Sequence, residues 1–512
     1  MIITRAIAGA LLALFLLSSH SLAATHSFRL LYINDFHGFA EPGRPYGADV
    51  RMGGAAWLAA KVAFLRKEKP SLFLAAGDVL QGDNWTNLSQ GQASVQLLNL
   101  MGLDALVVGN HEFDFGSDTL VKRISEARFP VLGANVEGLA ALKPYVIRDV
   151  GGARVAILGV VSEETPFATH PKNVAGLTFR PVVETVARYL PEMRSKADII
   201  VVLSHLGYAA DRALADRMPG IDVIVGGHSH TRVDVPSRVG NTVIVQAWEH
   251  GKALGVLDVT IEGRNVTAIE GRLEEIRPDM GEPDPAVLSL VGKYREEADA
   301  VLEGRAGETD VDLNGADVRR RETNLGNLVA DIMREVSGAD AAIINGGGIR
   351  ASIPKGPILV KNVYTVLPFN NYIVAIRVSG KGIRQALEHG VSGVETGAGA
   401  FPQVSGLSFV YDVTAPPGSR VGEIKVGGRP LDPGREYTVA TNDFLAAGGD
   451  GYKSFGEAVR SSPDFAITGG AMKGEKLVYS DSGRWLRDVV IQWLGKRDRI
   501  KPEVENRIKE AR

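Results

Sequence analysis

The strongest constraint on this chain is a recurrence in its N-terminal half: short apolar runs, each closed by a polar, glycine-rich break and followed by a segment with helix periodicity. The runs lie at 28–33, 72–76, 105–108, 155–161, 199–203, 223–225 and 243–245. Uninterrupted apolar runs of this length suit strands buried on both faces. The segments 55–68, 93–101, 119–127 and 183–196 place apolar residues three and four apart, as amphipathic helices do. The pattern predicts an α/β domain over 24–280, with a sheet covered by helices. A Pro- and Gly-rich break at 278–285 ends it, and Val287, Leu290, Tyr294 and Val301 then mark one face of a linker helix over 281–304. A smaller αβ domain is expected over 305–512, with apolar runs at 341–344 and 373–376 and a helix at 380–389.

Composition narrows the class of partner. The chain has 512 residues, 45% hydrophobic and 23% charged, which excludes disorder, collagen and membrane bundles. Its 60 acidic and 57 basic residues, with no basic block, remove the driving force for binding a nucleic-acid polymer. The 59 glycines exceed the usual share of about 7% and point to a site built from loops.

The first 23 residues read as a secretory signal: Arg5, an apolar run at 6–17, then Ser21-Leu22-Ala23 as a cleavage pattern. The run is shorter than the roughly 20 residues a membrane span needs, so removal is expected rather than anchoring. Zero cysteines means no disulfide, no thiolate ligand and no acylated lipoprotein anchor. The charged C-terminus argues against a GPI-type tail, and a periplasmic or secreted protein without a stable membrane anchor is expected. Oligomeric state stays open.

The polar signals fall just after the apolar runs, where α/β sheets carry ligand sites at the carboxyl ends of strands. They are Asn34-Asp35-Phe36-His37, Gly77-Asp78, Gly109-Asn110-His111-Glu112-Phe113-Asp114, Ser204-His205 and Gly226-Gly227-His228-Ser229-His230. Each alone is a turn or a cap, but five in order at strand ends predict one site. Asp, Asn and His together suit Mn, Fe, Co, Ni or Zn better than Mg or Ca. Five of the ten histidines sit in these loops.

These motifs resemble the 5′-nucleotidases of the calcineurin-like metallophosphatase superfamily, a family that includes UDP-sugar hydrolases and ecto-5′-nucleotidases, and the resemblance spans nearly the whole chain past the signal. It implies a metallophosphatase α/β sandwich, a linker helix and a smaller C-terminal αβ substrate-binding domain. It further implies two divalent metal ions such as Mn, Zn or Co, one held by Asp35, His37, Asp78 and His230, the other by Asp78, Asn110, His205 and His228, with Asp78 bridging. His111 and Asp114 match the family's catalytic pair. Two metals about 3.5 to 4 Å apart activate water and neutralise phosphoryl oxygens. His26, His170 and His250 match no motif and are expected to be structural or surface residues, and Asn84-Trp85-Thr86 reads as a chance glycosylation pattern beside a metal loop.

By the same resemblance Phe369 and Phe444 would sandwich a nucleotide base, with Arg319, Arg350, Asn345 and Asn371 around it and Asp450 toward the ribose hydroxyls. Gly315 stands where the UDP-sugar hydrolase carries an arginine. The expected activity is hydrolysis of nucleoside 5′-monophosphates, with other nucleotides or UDP-sugars as further substrates. A 2′,3′-cyclic phosphodiesterase with 3′-nucleotidase activity is the alternative enzyme; Asp114, where that group carries Asn, leans against it. A non-catalytic nucleotide receptor is the alternative of another class.

Overall fold

The structure, a computed structural model, describes residues 25–43, 50–468, 471–480 and 484–511. The secretory-signal segment lies outside them. Among the described residues no helix is long and apolar enough to cross a membrane.

The N-terminal half lays down β1 (Thr25–Ile33), α1 (Ala55–Glu68), β2 (Ser71–Ala75), β3 (Ala105–Val107), β4 (Val131–Leu132), β5 (Tyr145–Val150), β6 (Ala153–Val161), β7 (Ile199–His205), β8 (Val223–Gly226), β9 (Ser237–Val239), β10 (Thr242–Val245), β11 (Ala253–Glu262) and β12 (Asn265–Glu275). They form two six-stranded sheets, ordered β12-β11-β1-β2-β3-β4 and β9-β10-β8-β7-β6-β5. Neighbours β1 to β4 run parallel, as do β6, β7, β8 and β10.

The continuous apolar runs are buried on both faces, but not under helices on both. In β1, Phe28, Leu30 and Tyr32 enter one core with Ile199, Val201 and Leu203 of β7, while Leu31 and Ile33 face α1. Residues of β7 at the intervening positions, Ile200 and Val202, pack with Val186, Met193 and Leu214 of two outer helices, Val182–Lys196 and Tyr208–Arg217. The architecture is therefore four layers, helix, sheet, sheet, helix, which is the α/β sandwich that the resemblance implies; the helices cover only the outer face of each sheet. Period-2 alternation is hidden in such strands because both faces demand apolar side chains.

The helix after the 278–285 break is α2 (Pro285–Leu302), capped by Asp284, whose carboxylate accepts from the amides of Ala286 and Val287. Val287, Val291, Tyr294 and Leu302 are buried with α1 residues. At about 1.5–3 kcal/mol for each large apolar side chain buried, α2 is part of the N-terminal core and not a free tether.

Beyond it, α3 (Asn324–Ser337) and α4 (Val360–Val366) accompany a mixed five-stranded sheet of β13 (Ala341–Asn345), β14 (Ile373–Ser379), β15 (Pro402–Ser405), β16 (Glu436–Asn442) and β17 (Leu477–Ser480), ordered β15-β13-β16-β14-β17. The helix expected at 380–389 is Gly380–Gly390. A four-stranded sheet that includes Leu407–Tyr411 and Val421–Val426 lies alongside.

Candidate active site

All seven residues expected to hold metal leave the carboxyl ends of parallel strands. Asp35 and His37 follow β1, Asp78 follows β2 and Asn110 follows β3, all in the first sheet. His205 ends β7, and His228 and His230 follow β8, in the second. The site lies where the two sheets present the same edge.

The loops turn sharply to bring the side chains inward. Asp35, His37, Asp78, His228 and His230 all have positive φ, between 48° and 75°. Asp and His tolerate this region better than most residues but still rarely occupy it. Gly109 meets the opposite demand: a Cβ there would lie 2.2 Å from Asp78 Oδ1 and 2.7 Å from His205 Nε2, so only glycine lets β3's loop approach.

The ligand atoms fall into two groups, Asp35 with His37 and His230, and Asp78 with His205 and His228, the atoms of each within 4.8 Å of one another. His37 Nδ1 donates to the Gln81 carbonyl at 2.8 Å and His205 Nδ1 to the Ala76 carbonyl at 2.7 Å, which leaves each Nε2 as a lone pair pointing into the site. Asp78 Oδ2 lies 3.1 Å from His205 Nε2 and 3.8 Å from His37 Nε2, so one carboxylate faces both groups. His205 Nε2 and Asn110 Oδ1 are buried without a hydrogen-bond partner. Orphaned buried acceptors facing carboxylates at this spacing fit cations between them. The charge pattern agrees: burial pushes the His228 imidazole down to about 3, and the neighbouring His205 charge adds to it. Burial lowers His205 too, but the Asp78 carboxylate overrides it and drives it up to about 10. The cluster demands positive charge.

His111 starts a short 3-10 turn after β3. Its Nδ1 donates to Asp114 Oδ2 at 2.6 Å, and Asp114 Oδ1 accepts from the Thr169 hydroxyl at 2.7 Å. His111 Nε2 is left 4.0 Å from Asp78 Oδ2. Burial disfavours the imidazolium, but Asp114 and Asp78 outweigh it and raise the His111 pKa.

Over this floor opens a cavity of about 1370 Å³, walled on the other side by the C-terminal domain. His37, Asp78, Asn110, His111, Asp114, His228 and His230 line it, as do Arg319, Asn345, Arg350, Phe369, Asn371, Phe444 and Asp450. Asp35 and His205, both fully buried, lie beneath. The Phe369 ring stacks on His111, and the Arg350 guanidinium stands 6.0 Å from its centroid. Asn345 Nδ2 donates to Asp450 Oδ2 at 2.6 Å, and His389 Nε2 to the Asp450 carbonyl at 2.6 Å. Burial and the nearby Arg350 charge bring the half-buried Arg319 down to about 10. Phe444 is seated by Gly449, where a Cβ would fall 2.3 Å from the ring. At Gly315 a Cβ would lie 2.0 Å from the Ala351 carbonyl oxygen, so an arginine cannot be accommodated without moving that backbone.

Several residues escaped the sequence reading. Glu112 is buried, and its carboxylate accepts from the amides of Asp78, Val79, Leu80 and Gly109, tying the loops after β2 and β3 together. Arg487 donates to the carbonyls of Pro368 and Phe369, holding the loop that presents the aromatic ring. His250, expected to be structural or surface, lines the cavity, its ring stacked on Phe39 at 3.9 Å and 6.0 Å from that of His230. Asn84 donates to the Lys361 carbonyl and the Thr365 hydroxyl across the domain boundary, which leaves its amide engaged and unsuited to a glycan. His170 also crosses the cleft, 3.2 Å from Asp443 Oδ2.

Residues 28–232 match the calcineurin-like phosphoesterase family and residues 305–457 the C-terminal domain of 5′-nucleotidases. Human 5′-nucleotidase is 32% identical over 95% of this chain and 91% of its own length. A trifunctional nucleotide phosphoesterase of Bacillus subtilis is 35% identical over 86% of this chain, which spans 33% of that longer protein. The solved structure of a 5′-nucleotidase precursor from Thermus thermophilus superimposes with a TM-score of 0.85 at 36% identity, covering 94% of this chain and 99% of that one.

Proposed function

Because the chain belongs to the 5′-nucleotidase family of calcineurin-like phosphoesterases, which are metal-dependent hydrolases, we propose that it is an exported enzyme that removes phosphate from nucleoside 5′-monophosphates. The observation that carries this reading is a cavity in which two candidate ligand clusters face a wall from the other domain that carries Phe369, Phe444, Arg350 and Asp450.

In this proposal Asp35, His37, Asp78 and His230 hold one divalent ion and Asp78, Asn110, His205 and His228 the other, the spacing of Asp78 to both clusters supporting the bridge. Bound there, the two ions would supply an activated water and charge for the phosphoryl oxygens. The rest falls to the chain itself. Arg319 and Arg350, expected around the base, bring positive charge to the cavity, and the Arg350 charge reaches His37 and His111 on the phosphate side. Phe369 and Phe444 offer faces to a base, and stacking is sequence-tolerant because every base has a π-face. Asp450, oriented by Asn345, accepts from ribose hydroxyls. His111, aligned by Asp114 and biased toward its protonated form, stabilises the phosphoryl charge or donates its Nε2 proton to the departing 5′ oxygen. No covalent intermediate is required.

Gly315 leaves no arginine where the UDP-sugar hydrolase carries one, which argues against a diphosphate-sugar as the main substrate. Assays of the purified chain on 5′-AMP, 2′,3′-cyclic AMP and UDP-glucose, with Mn, Co or Zn, test the reading. Release of phosphate from 5′-AMP with a clear preference over the other two is expected; faster opening of the cyclic diester would replace the proposal with the phosphodiesterase alternative.

A further inference from the structure

Glu249 belongs to none of the strand-end motifs. It follows β10 on a segment whose Trp248 and His250 both have positive φ, 71° and 55°. That segment is fixed to the first ligand loop: Asn34 Nδ2 donates to the Trp248 carbonyl at 2.6 Å, Asn34 Oδ1 accepts from the Ala247 amide at 2.7 Å, and the His250 amide donates to the Asp35 carbonyl at 2.8 Å. Glu249 therefore sits on backbone locked to Asp35.

Both of its oxygens are engaged. Oε2 accepts from His230 Nδ1 at 2.6 Å, and Oε1 accepts from Lys252 Nζ at 2.6 Å. The Lys252 ammonium is itself seated over the Trp248 ring, 4.8 Å from its centroid. A carboxylate only accepts, so Nδ1 carries the proton and the His230 lone pair is on Nε2. That atom points to Asp35 Oδ1 and His37 Nε2, each 3.4 Å away. His37 Nε2 is also a lone pair, since its Nδ1 donates to Gln81. Two lone pairs and a carboxylate converge on one point.

We propose that Glu249, fixed by Lys252, is a positioning residue that sets the His230 tautomer and aims its Nε2 at the cation position formed with Asp35 and His37. This rests on the two-ion reading above. A third cation among His230, Glu249 and His250, whose ligand atoms also lie within 4.8 Å of one another, is disfavoured because the Lys252 ammonium already occupies the Glu249 carboxylate.

Metal-free full-length chain titrated with Mn and with Zn, by calorimetry and elemental analysis, tests the assignment. The wild type should take up two equivalents. Glu249→Gln should bind one of them about 10- to 100-fold more weakly, as loss of an outer-shell partner does, and leave the other unchanged. In a His230→Gln background, Glu249→Gln should change affinity by less than about twofold, because a residue that acts through His230 has nothing left to act on. Glu249→Asp, which keeps the charge and loses reach, should weaken the same equivalent less than Glu249→Gln, and serves if the latter does not fold. Unchanged affinities in the Glu249 variants, an equal loss in both backgrounds, or a third equivalent that Glu249→Gln removes would overturn the assignment alone. A wild type holding fewer than two equivalents would instead bring down the two-ion reading beneath it.

Discussion

The imidazole of His111 lies face to face with the ring of Phe369, centroids 5.7 Å apart and planes 20° from parallel. One ring comes from the turn after β3 and the other from the C-terminal domain, so the residues proposed for phosphoryl chemistry and for base stacking are neighbours across the cleft. In the proposed stacking role, a base on the face of Phe369 turned to His111 would have to displace that imidazole.

His111→Ala should lower kcat by about 10²- to 10⁴-fold, the usual weight of a positioned acid, with little change in KM. Asp114→Asn should lower kcat in the same direction, because an amide presents its NH₂ or a weaker acceptor to Nδ1 in place of a charge. Steady-state kinetics on 5′-AMP measure both; a change confined to KM would reassign His111 to binding.

Phe369→Ala and Phe444→Ala should each raise KM for nucleotides by about 5- to 150-fold, the equivalent of 1–3 kcal/mol of base stacking, and spare p-nitrophenyl phosphate, which has no base. Parallel losses on both substrates would remove the stacking role.

Chelation should abolish turnover and Mn or Co should restore it. Asp78→Asn should cost more activity and more bound metal than His37→Ala or His205→Ala, because its Oδ2 lies within 3.8 Å of an imidazole from each cluster. Elemental analysis of the three variants decides; greater metal loss at either histidine would contradict the bridge.

Since α2 is buried against α1, a rotation between the domains, if the cycle uses one, would hinge after Leu302. The chain has no cysteine, and Asn84 Nδ2 and Thr365 Oγ1 meet at 3.0 Å across the boundary. The pair Asn84→Cys with Thr365→Cys should therefore form a single disulfide that slows turnover and releases it on reduction. A verified crosslinked protein that turns over as fast as its reduced form would mean that the cycle needs no such motion.

The strand ends and their ligand motifs were legible because each is local: an apolar run, then Asp, Asn or His within four residues. The apolar pattern by itself did not reveal the second sheet, which came only with the resemblance, because Leu30 and Leu31 are both apolar whether the opposite face meets a helix or another sheet. The strand expected from Phe28 begins at Thr25 because Thr25 pairs with Glu262, far along the chain. Glu112, Glu249 and Arg487 carry no motif of their own; their partners are backbone amides, a histidine and carbonyls brought close only by folding. His250 reaches the cavity through the left-handed turn at 248–250, which nothing in its neighbours' identity announces.

The left-handed backbone at Asp35, His37, Asp78, His228 and His230 sets selection for durability against selection for catalysis. Each such residue carries a conformational cost of about 1 kcal/mol or more that glycine would not. A heat-resistance screen run on metal-free protein should therefore enrich glycine at these positions and return sturdier, inert molecules. Only when survival is scored together with turnover will the lineage keep its acids and imidazoles in those bends.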